Sequence, residues 1–370
     1  MAIKACVPDA LPLADLNWRK LLPLAGRANG ALARYDGMLQ TLPNPGVLLS
    51  PITVNEAVLS SRIEGTQATL EEVLERDAGI EAPENRRGDI EEISNYRAAV
   101  GDAEATLAHR PISLSLVKSV HQRLMQGVRG RDKTPGAFRE DQNWIGRQGD
   151  PIEKARFIPP SPLILQQKLE EWEGYLQNED EDPILQTAIA HAQFEILHPF
   201  KDGNGRIGRM LVPLLLYKRG ALSSPMFYLS EFLEAHRDVY YDHLLAITDR
   251  GDWQSWVEFF VEAVVTQAES NLAKVQQIRA LYDDMRRQFA DVTHSQYAGN
   301  AVDTFFARPI IRATDFRELA GLNTRVTANK MLRQLESAGL IRRIREGAGA
   351  APSVYALPAL INIAEGRPVL

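Results

Sequence analysis

Apolar residues recur at helical spacing over most of the chain, interrupted by short polar breaks and by breaks marked with glycine and proline. "TLPNPGVLLSPIT" (41–53) predicts a loop, because proline and glycine punctuate it throughout. A helix then starts at Thr53, which has capping-box spacing to Glu56 and leads into apolar Ala57, Val58 and Ile63; Gly65 ends it. Thr69 and Glu72 cap a second helix through "LEEVLE", and "DAGIEAPENRRGD" (77–89) predicts a polar, exposed connector. "SLSLVKSVHQRLMQGV" (113–128) returns to helical periodicity and gives way to a glycine-rich loop, "GRDKTPGAFRED". Short apolar runs between Gly and Pro in "NWIGRQGDPIEKARFIPPSP" (143–162) predict a β-hairpin. Two amphipathic helices follow, "LILQQKLEEWEGYLQ" and "ILQTAIAHAQFEIL", and "MLVPLLLYKRG" (210–220) is apolar enough for a buried core helix. Helical stretches from about 230 to 247 and from 251 to about 289 complete the body.

The tail has another order. "TDFRELAG" predicts a short helix, "LNTRVTANKMLRQLESAG" a longer one after a tight turn, and "LIRRIREGAGAAPSVYALP" two strands around a glycine-rich tip. Helix, turn, helix and basic hairpin is the order of a winged helix-turn-helix. The fold class expected is therefore mainly α: a helical core with a short β-hairpin flap, plus a C-terminal winged helix-turn-helix domain.

Composition adds limits. The chain has 370 residues, 45% hydrophobic and 24% charged, as in ordinary globular proteins with two or three domains. No apolar run approaches the roughly 18 residues of a membrane span, and the first residues lack a signal peptide's apolar core. Cys6 is the single cysteine, so no intrachain disulfide forms. A cytoplasmic protein away from membranes is expected. From residue 291 onward ten Lys and Arg face seven Asp and Glu, a net of +3 within a total of -6, which leaves -9 on the rest. A mildly basic tail on an acidic body predicts a separate module with its own partner.

One segment concentrates the chemistry: "LHPFKDGNGRIGRM" (197–210). "DGNG" resists helix, because glycine and asparagine favour turns and left-handed backbone angles, while the residues after it are helical. The loop therefore lies at a helix N-terminus, where backbone N–H groups and the helix dipole attract phosphate. Arg206 and Arg209 are three apart, on one helical face, and suit further phosphate oxygens. Asp202 suits a Mg²⁺ ion bridging two phosphates. His198 suits proton abstraction from an attacking hydroxyl, with Pro199 and Phe200 fixing the turn. The set describes phosphoryl or nucleotidyl transfer from a nucleoside triphosphate. No G-x-x-x-x-G-K-[ST] loop occurs. The Glu195/His198 E-x-x-H pair has no second copy, as a di-iron site requires.

"HPFKDGNGRIGR" resembles the Fic family motif, H-P-F-x-[DE]-G-N-G-R-x-x-R, at every defined position. The resemblance implies an adenylyltransferase that moves AMP from ATP to a Ser, Thr or Tyr hydroxyl of a target protein. It implies His198 as general base, Asp202 as Mg²⁺ ligand, and Gly203, Asn204 and Gly205 as the phosphate nest. Arg206 would bind the inner phosphates, Arg209 the γ-phosphate, and Ile207 and Gly208 would complete the ATP site. "SSRIEG" (60–65) resembles the family's inhibitory motif, [ST]-x-x-x-E-[GN], through Ser60, Glu64 and Gly65. Glu64 at a helix C-terminus meets the unfavourable end of the dipole; the resemblance gives it a purpose, pairing with Arg209 and displacing the γ-phosphate.

"ARFIPPSP" resembles the flap that docks a target segment by strand addition, with Phe157 and Ile158 near the nucleotide. "RDVYYDHLLAITDRGDW" resembles the stretch closing over the adenosine, where Tyr240 and Tyr241 would line the base or ribose pocket; Thr248 stands where relatives often carry Asn. The expected divisions are a helical region at 1–108 with the inhibitory helix at about 53–65, a catalytic core at 109–250, connecting helices at 251–290 and the winged helix at 291–370. Arg325, Lys330, Arg333, Arg342, Arg343 and Arg345 make DNA one partner for the tail, with protein contact or homodimerisation the other. Automodification is expected. Two rivals remain: an enzyme acting mainly in AMP removal, with Glu64 activating water, and a DNA-binding regulator using the fold as a nucleotide sensor.

Overall fold

The computed structural model describes residues 5–127, 131–146, 149, 151–179, 181–348 and 351–370. Residues 147, 148 and 150 of one expected hairpin tip, 349–350 of the other, and the start of the 130–141 loop lie outside the described residues. Helices dominate. In chain order they are α1 (Trp18–Gln40), α2 (Pro45–Leu48), α3 (Ser50–Ile63), α4 (Leu70–Asp77), α5 (Glu84–Leu107), α6 (Leu114–Leu124), α7 (Pro162–Leu176) and α8 (Pro183–Leu197). There follow α9 (Asn204–Lys218), α10 (Ser230–Ala235), α11 (Arg237–Arg250), α12 (Trp253–Thr293), α13 (Ala298–Ala307), α14 (Ala313–Leu319), α15 (Arg325–Ser337) and α16 (Pro358–Glu365). Three short strands, β1 (Ile310–Arg312), β2 (Arg342–Arg345) and β3 (Val354–Ala356), lie among the last of these.

The chain divides into two compact units. The first takes residues up to Asp36, Leu59–Gly65 and Ser94–Glu269. Its centre is α8, buried at every position except Pro183 and Glu195. This differs from the amphipathic helix expected: its polar residues are turned inward and bonded there. His191, for instance, bonds to the Gly208 carbonyl at 2.9 Å. Asp182 caps α8 by accepting from the Ile184 and Leu185 amides, and Pro183 starts it without an amide to satisfy. α7 and α9 pack along it. Trp172 and Trp256 clamp it, their indole N–H groups donating to Ala190 and Ala188 carbonyls at 2.9 and 2.8 Å. Among the described residues of the flap, an antiparallel bridge joins Ile145 to Phe157, and a 3₁₀ turn covers Ile152–Lys154.

The second unit takes Gly37–Val58, Thr66–Ile93 and Ser270–Leu370. Its C-terminal part runs α13, β1, α14, α15, β2, β3, with an antiparallel sheet of order β1-β3-β2. Ile311 and Arg343 flank Tyr355 in register, and a bulge lies between Arg343 and Arg345. α15 buries Ala328, Met331, Leu332 and Leu335, one helical stripe. α13, β1 and α16 are additions to the sequence expectation, each too short or too uniformly apolar for a period to show.

Two expectations change in this unit. The 41–53 stretch is largely helical: Pro45 and Pro51 sit in the first turns of α2 and α3, where proline is tolerated, and do not break a helix. Thr53 is consequently inside α3, its hydroxyl donating to the Leu49 carbonyl at 3.2 Å, and does not cap it. The connector at 77–89 is also half structured, since α5 begins at Glu84 and Asp89 is buried. Thr69 does cap α4: it accepts from the Glu72 amide at 3.2 Å while Glu72 accepts from the Thr69 amide at 2.8 Å. Thr69→Ala should lower stability by about 1 kcal/mol in equilibrium denaturation, and Thr69→Ser should recover most of it.

Candidate active site

α8 ends at His198, which adopts a left-handed backbone conformation with φ of 45°. A non-glycine residue there costs about 1 kcal/mol or more, so the surroundings must hold it. The chain then turns through Pro199–Gly203 into α9. Asn204 closes the turn: its side-chain oxygen accepts from the Phe200 amide and its NH₂ donates to the Phe200 carbonyl, both at 2.8 Å. Phe200 anchors the turn in the core, and His121 stacks on it with ring centroids 3.7 Å apart. The Gly136 amide donates to His121 Nδ1 at 2.9 Å, which leaves Nε2–H to donate to the Asp202 carbonyl at 3.1 Å. Gly203 has φ of 79°, and its amide donates to Asp202 Oδ1 at 2.6 Å. As at any helix start, the first amides of α9 have no acceptor within the helix.

Arg209, on the first turns of α9, is buried to 3% exposure. Its Nε donates to Ser60 Oγ at 3.0 Å, and its Nη2 donates to the Ser60 carbonyl at 2.8 Å and to Glu64 Oε1 at 2.7 Å. The end of α3 thus wraps one guanidinium with a hydroxyl, a carbonyl and a carboxylate. Gly65, with φ of 99°, turns the chain away directly afterwards. Gly205 makes room for the carboxylate, because a Cβ there would lie 2.2 Å from Glu64 Oε1. Burial would push the Glu64 carboxyl up, but Arg209 outweighs it and holds the group below the usual carboxylate range.

Glu64, Gly205 and Arg209 open on a cavity of about 950 Å³, together with His198, Glu195 and the flap residue Phe157. Burial pushes the His198 imidazole down to about 4, so it is neutral and able to accept a proton at physiological pH. Burial pushes the Glu195 carboxyl up to about 8, with Arg209 opposing the shift and Glu64 adding to it. At neutral pH Glu195 is therefore mostly protonated, as suits a carboxyl beside the ionised Glu64. At the rim, Arg156 of the flap pairs with Asp242 of α11 at 2.6 Å.

Several expected site residues lie elsewhere. Tyr241 and Thr248 line the cavity, but Tyr240 is 1% exposed and points into the core, its hydroxyl 3.0 Å from His191 Nε2. Adjacent helical residues diverge by about 100°, so only one of the two tyrosines can face the cavity. Ile158 is buried behind the flap for the matching reason: neighbours on an extended segment point to opposite sides. Ile207 is a core residue, and Gly208 faces α8, where a Cβ would lie 2.1 Å from Glu195 Oε1. Asn204 spends its side chain on the turn. Arg206 lies under the loop, 6% exposed in its side chain, with Nη2 at 3.5 Å from Asp202 Oδ1. Residues not singled out from sequence include His121, Arg139 and His191. Each is a buried polar side chain with at least one main-chain partner distant in sequence: the Asp202 carbonyl for His121, the His198 carbonyl for Arg139 and the Gly208 carbonyl for His191.

Residues 22–104 match the family model described as Fic/DOC family N-terminal, and residues 111–216 that described as Fic/DOC family. Among curated proteins, the protein adenylyltransferase Fic of Culex quinquefasciatus is 31% identical over 177 residues, which cover 46% of this chain and 32% of that protein. The protein of the same name from Drosophila mojavensis is 29% identical over 154 residues, covering 41% and 27% respectively. The chain therefore spans about a third or less of the length of these relatives. Among solved structures, a Fic family protein from Desulfovibrio desulfuricans superposes with a TM-score of 0.61 at 19% identity, covering 94% of this chain and 97% of that one. Residues 134–508 of Fic-1 from C. elegans superpose with a TM-score of 0.54 at 20% identity, covering 72% and 75%. These likenesses establish a shared fold.

Asn204 gives a local test. Asn204→Ala leaves the buried amide and carbonyl of Phe200 without their partner and should cost about 1–3 kcal/mol. Asn204→Asp, which keeps the acceptor but sets a buried carboxylate oxygen against the Phe200 carbonyl, should cost at least as much. Chemical denaturation of the three proteins reads the difference.

Proposed function

Because the chain belongs to the Fic/DOC family, we propose that it is a nucleotidyltransferase that moves AMP from ATP to a side-chain hydroxyl of a target protein, restrained by Glu64. The observation that carries this reading is the convergence of His198, the start of α9 and Arg209 on one cavity, with Glu64 Oε1 seated 2.7 Å from Arg209 Nη2. The names of the curated relatives, protein adenylyltransferases, agree with it.

The α9 amides and Gly205 supply the phosphate cradle, and Arg209 supplies the cation for the terminal phosphate. His198 Nε2 takes the proton of the attacking hydroxyl. The hydroxyl oxygen forms a bond to the α-phosphorus as the bond from that phosphorus to the oxygen bridging to the β-phosphate breaks, and pyrophosphate leaves with the electron pair. His198 suits the part because its lowered pKa leaves it unprotonated at neutral pH. Asp202 would hold Mg²⁺. Its carboxylate is 47% exposed, and no cluster of three or more His, Cys, Asp or Glu able to chelate a metal occurs among the described residues. A lone carboxylate suits magnesium, which takes its remaining ligands from phosphates and water. The ion, when bound, would neutralise phosphate charge during the transfer.

Glu64 restrains this chemistry by occupying the group that should meet the γ-phosphate. Carboxylate and phosphate cannot share one fork without like-charge repulsion, so a nucleotide entering beside Glu64 sits with its α-phosphate out of line. The second unit fits a winged helix by its element order, and contact with a protein suits it better than DNA. Two of the arginines expected to meet phosphate are already engaged: Arg343 with Glu336 at 2.9 Å, and Arg345 with Glu75 at 3.7 Å.

Intact-mass spectrometry after incubation with ATP and Mg²⁺ tests the proposal. Glu64→Gly should gain one AMP at least about tenfold faster than wild type, the effect of removing a competing contact worth ~1.4 kcal/mol or more. Glu64→Gly with His198→Ala should gain none. Equal gain in all three proteins, or none in Glu64→Gly with a hydroxyl-rich protein mixture supplied, would contradict it.

A further inference from the structure

Arg139 is 3% exposed, yet among the described residues its guanidinium meets carbonyl oxygens and no carboxylate. A buried cation without a counter-ion is costly and needs a reason. Its bonds supply one. Nε donates to the His198 carbonyl at 2.9 Å, Nη2 to the Leu197 carbonyl at 3.4 Å, and the Arg139 amide to the Pro199 carbonyl at 2.8 Å. Three consecutive carbonyls across the end of α8 thus point at one residue. The same guanidinium reaches the Pro160 carbonyl at 2.5 Å and the Asp141 carbonyl at 3.3 Å, on the two segments flanking the flap.

We infer that Arg139 is the positioning residue of the transfer reaction: it locks the left-handed backbone of His198, and with it the direction of the imidazole, and ties that backbone to the base of the flap. The inference rests on His198 being the general base of the proposed reaction. The left-handed φ of 45° needs support from outside the local chain, and Arg139 supplies it from both sides of the Cα. The carbonyls it binds also carry the negative end of the α8 dipole, which favours a cation. The planar fork, with donors on three nitrogens in fixed directions, suits this bridging where an ammonium does not.

The cation acts through its field as well. Burial lowers the His198 pKa most, and Arg139 adds to the lowering, against the Glu195 carbonyl, Glu64 and Asp202, which raise it. From the other elements around the cavity, Arg209 of α9, Arg237 and Tyr241 of α11, and Lys154 and Arg156 of the flap side face the same space. Removing the Arg139 charge should therefore move the His198 titration upward, toward its ordinary value.

The test places Arg139→Lys and Arg139→Met in the Glu64→Gly protein and reads kcat, ATP affinity by calorimetry, and the His198 ring titration by NMR. Arg139→Lys keeps the charge and loses the fork. It should lower kcat by about 100-fold, the cost of roughly 1 Å of misplacement, while the ATP Kd stays within about threefold and His198 titrates as before. Arg139→Met should lose kcat similarly and shift the titration up. If only Arg139→Lys folds, its kcat and Kd decide. Full kcat in Arg139→Lys, or an unmoved His198 titration in a folded Arg139→Met protein, overturns the inference. If Glu64→Gly itself transfers no AMP, the proposed reaction fails, and the NMR arm still decides whether Arg139 controls His198.

Discussion

A buried guanidinium must have partners, and the site depends on which groups supply them for Arg209. In the structure described, Ser60 and Glu64 do, from the last turn of α3, 149 and 145 residues away in sequence. The contact has consequences in both directions. It gives an otherwise unfavourable carboxylate at a helix C-terminus a strong neighbour, and in the proposed function it fills the position of the terminal phosphate. Gly205 is part of the same arrangement, since any side chain there would push the carboxylate out.

The rest of the first unit reads as support for that region. α8 is buried on nearly all sides and held by two indoles, so its C-terminal end is fixed. The turn after it is braced by Asn204, His121 and Arg139, each bonding to main-chain groups of the turn or of the helix end. An imidazole, a helix N-terminus and a guanidinium are brought together by rigid elements, and positioning of this kind is most of what the proposed transfer would require. The flap is anchored at its base by Arg139 and Gln142, but on its cavity side Phe157 meets Ile145 through an antiparallel bridge and Arg156 meets α11 through an exposed ion pair. An exposed ion pair of this kind contributes little stability.

Sequence revealed most where the determinants are local. The Thr69–Glu72 cap is set by a spacing of three residues, and the turn at 198–205 by consecutive residues with strong backbone preferences. The pairing of Glu64 with Arg209 has no local signal and came from likeness to the Fic motifs; the geometry then showed its atoms. Facing direction was the weak point. Tyr240 and Tyr241 are equivalent on paper, as are Phe157 and Ile158, and tertiary packing alone decides which of each pair meets the cavity. Pro45 and Pro51 are ambiguous in sequence, because proline is tolerated in a helix's first turn and breaks its interior. Arg139 was invisible for a simpler reason: carbonyl partners leave no mark in a sequence.

If Glu64 stands in for the terminal phosphate, as proposed, the discrimination between ATP and ADP reports it directly. Calorimetric Kd values for both nucleotides should agree within about threefold in the wild-type protein, where the third phosphate finds Arg209 taken. In Glu64→Gly, ATP should bind at least about tenfold more tightly than ADP, one charge-assisted contact of ~1.4 kcal/mol or more having become available. An ATP-to-ADP ratio that is the same in both proteins would contradict the claim.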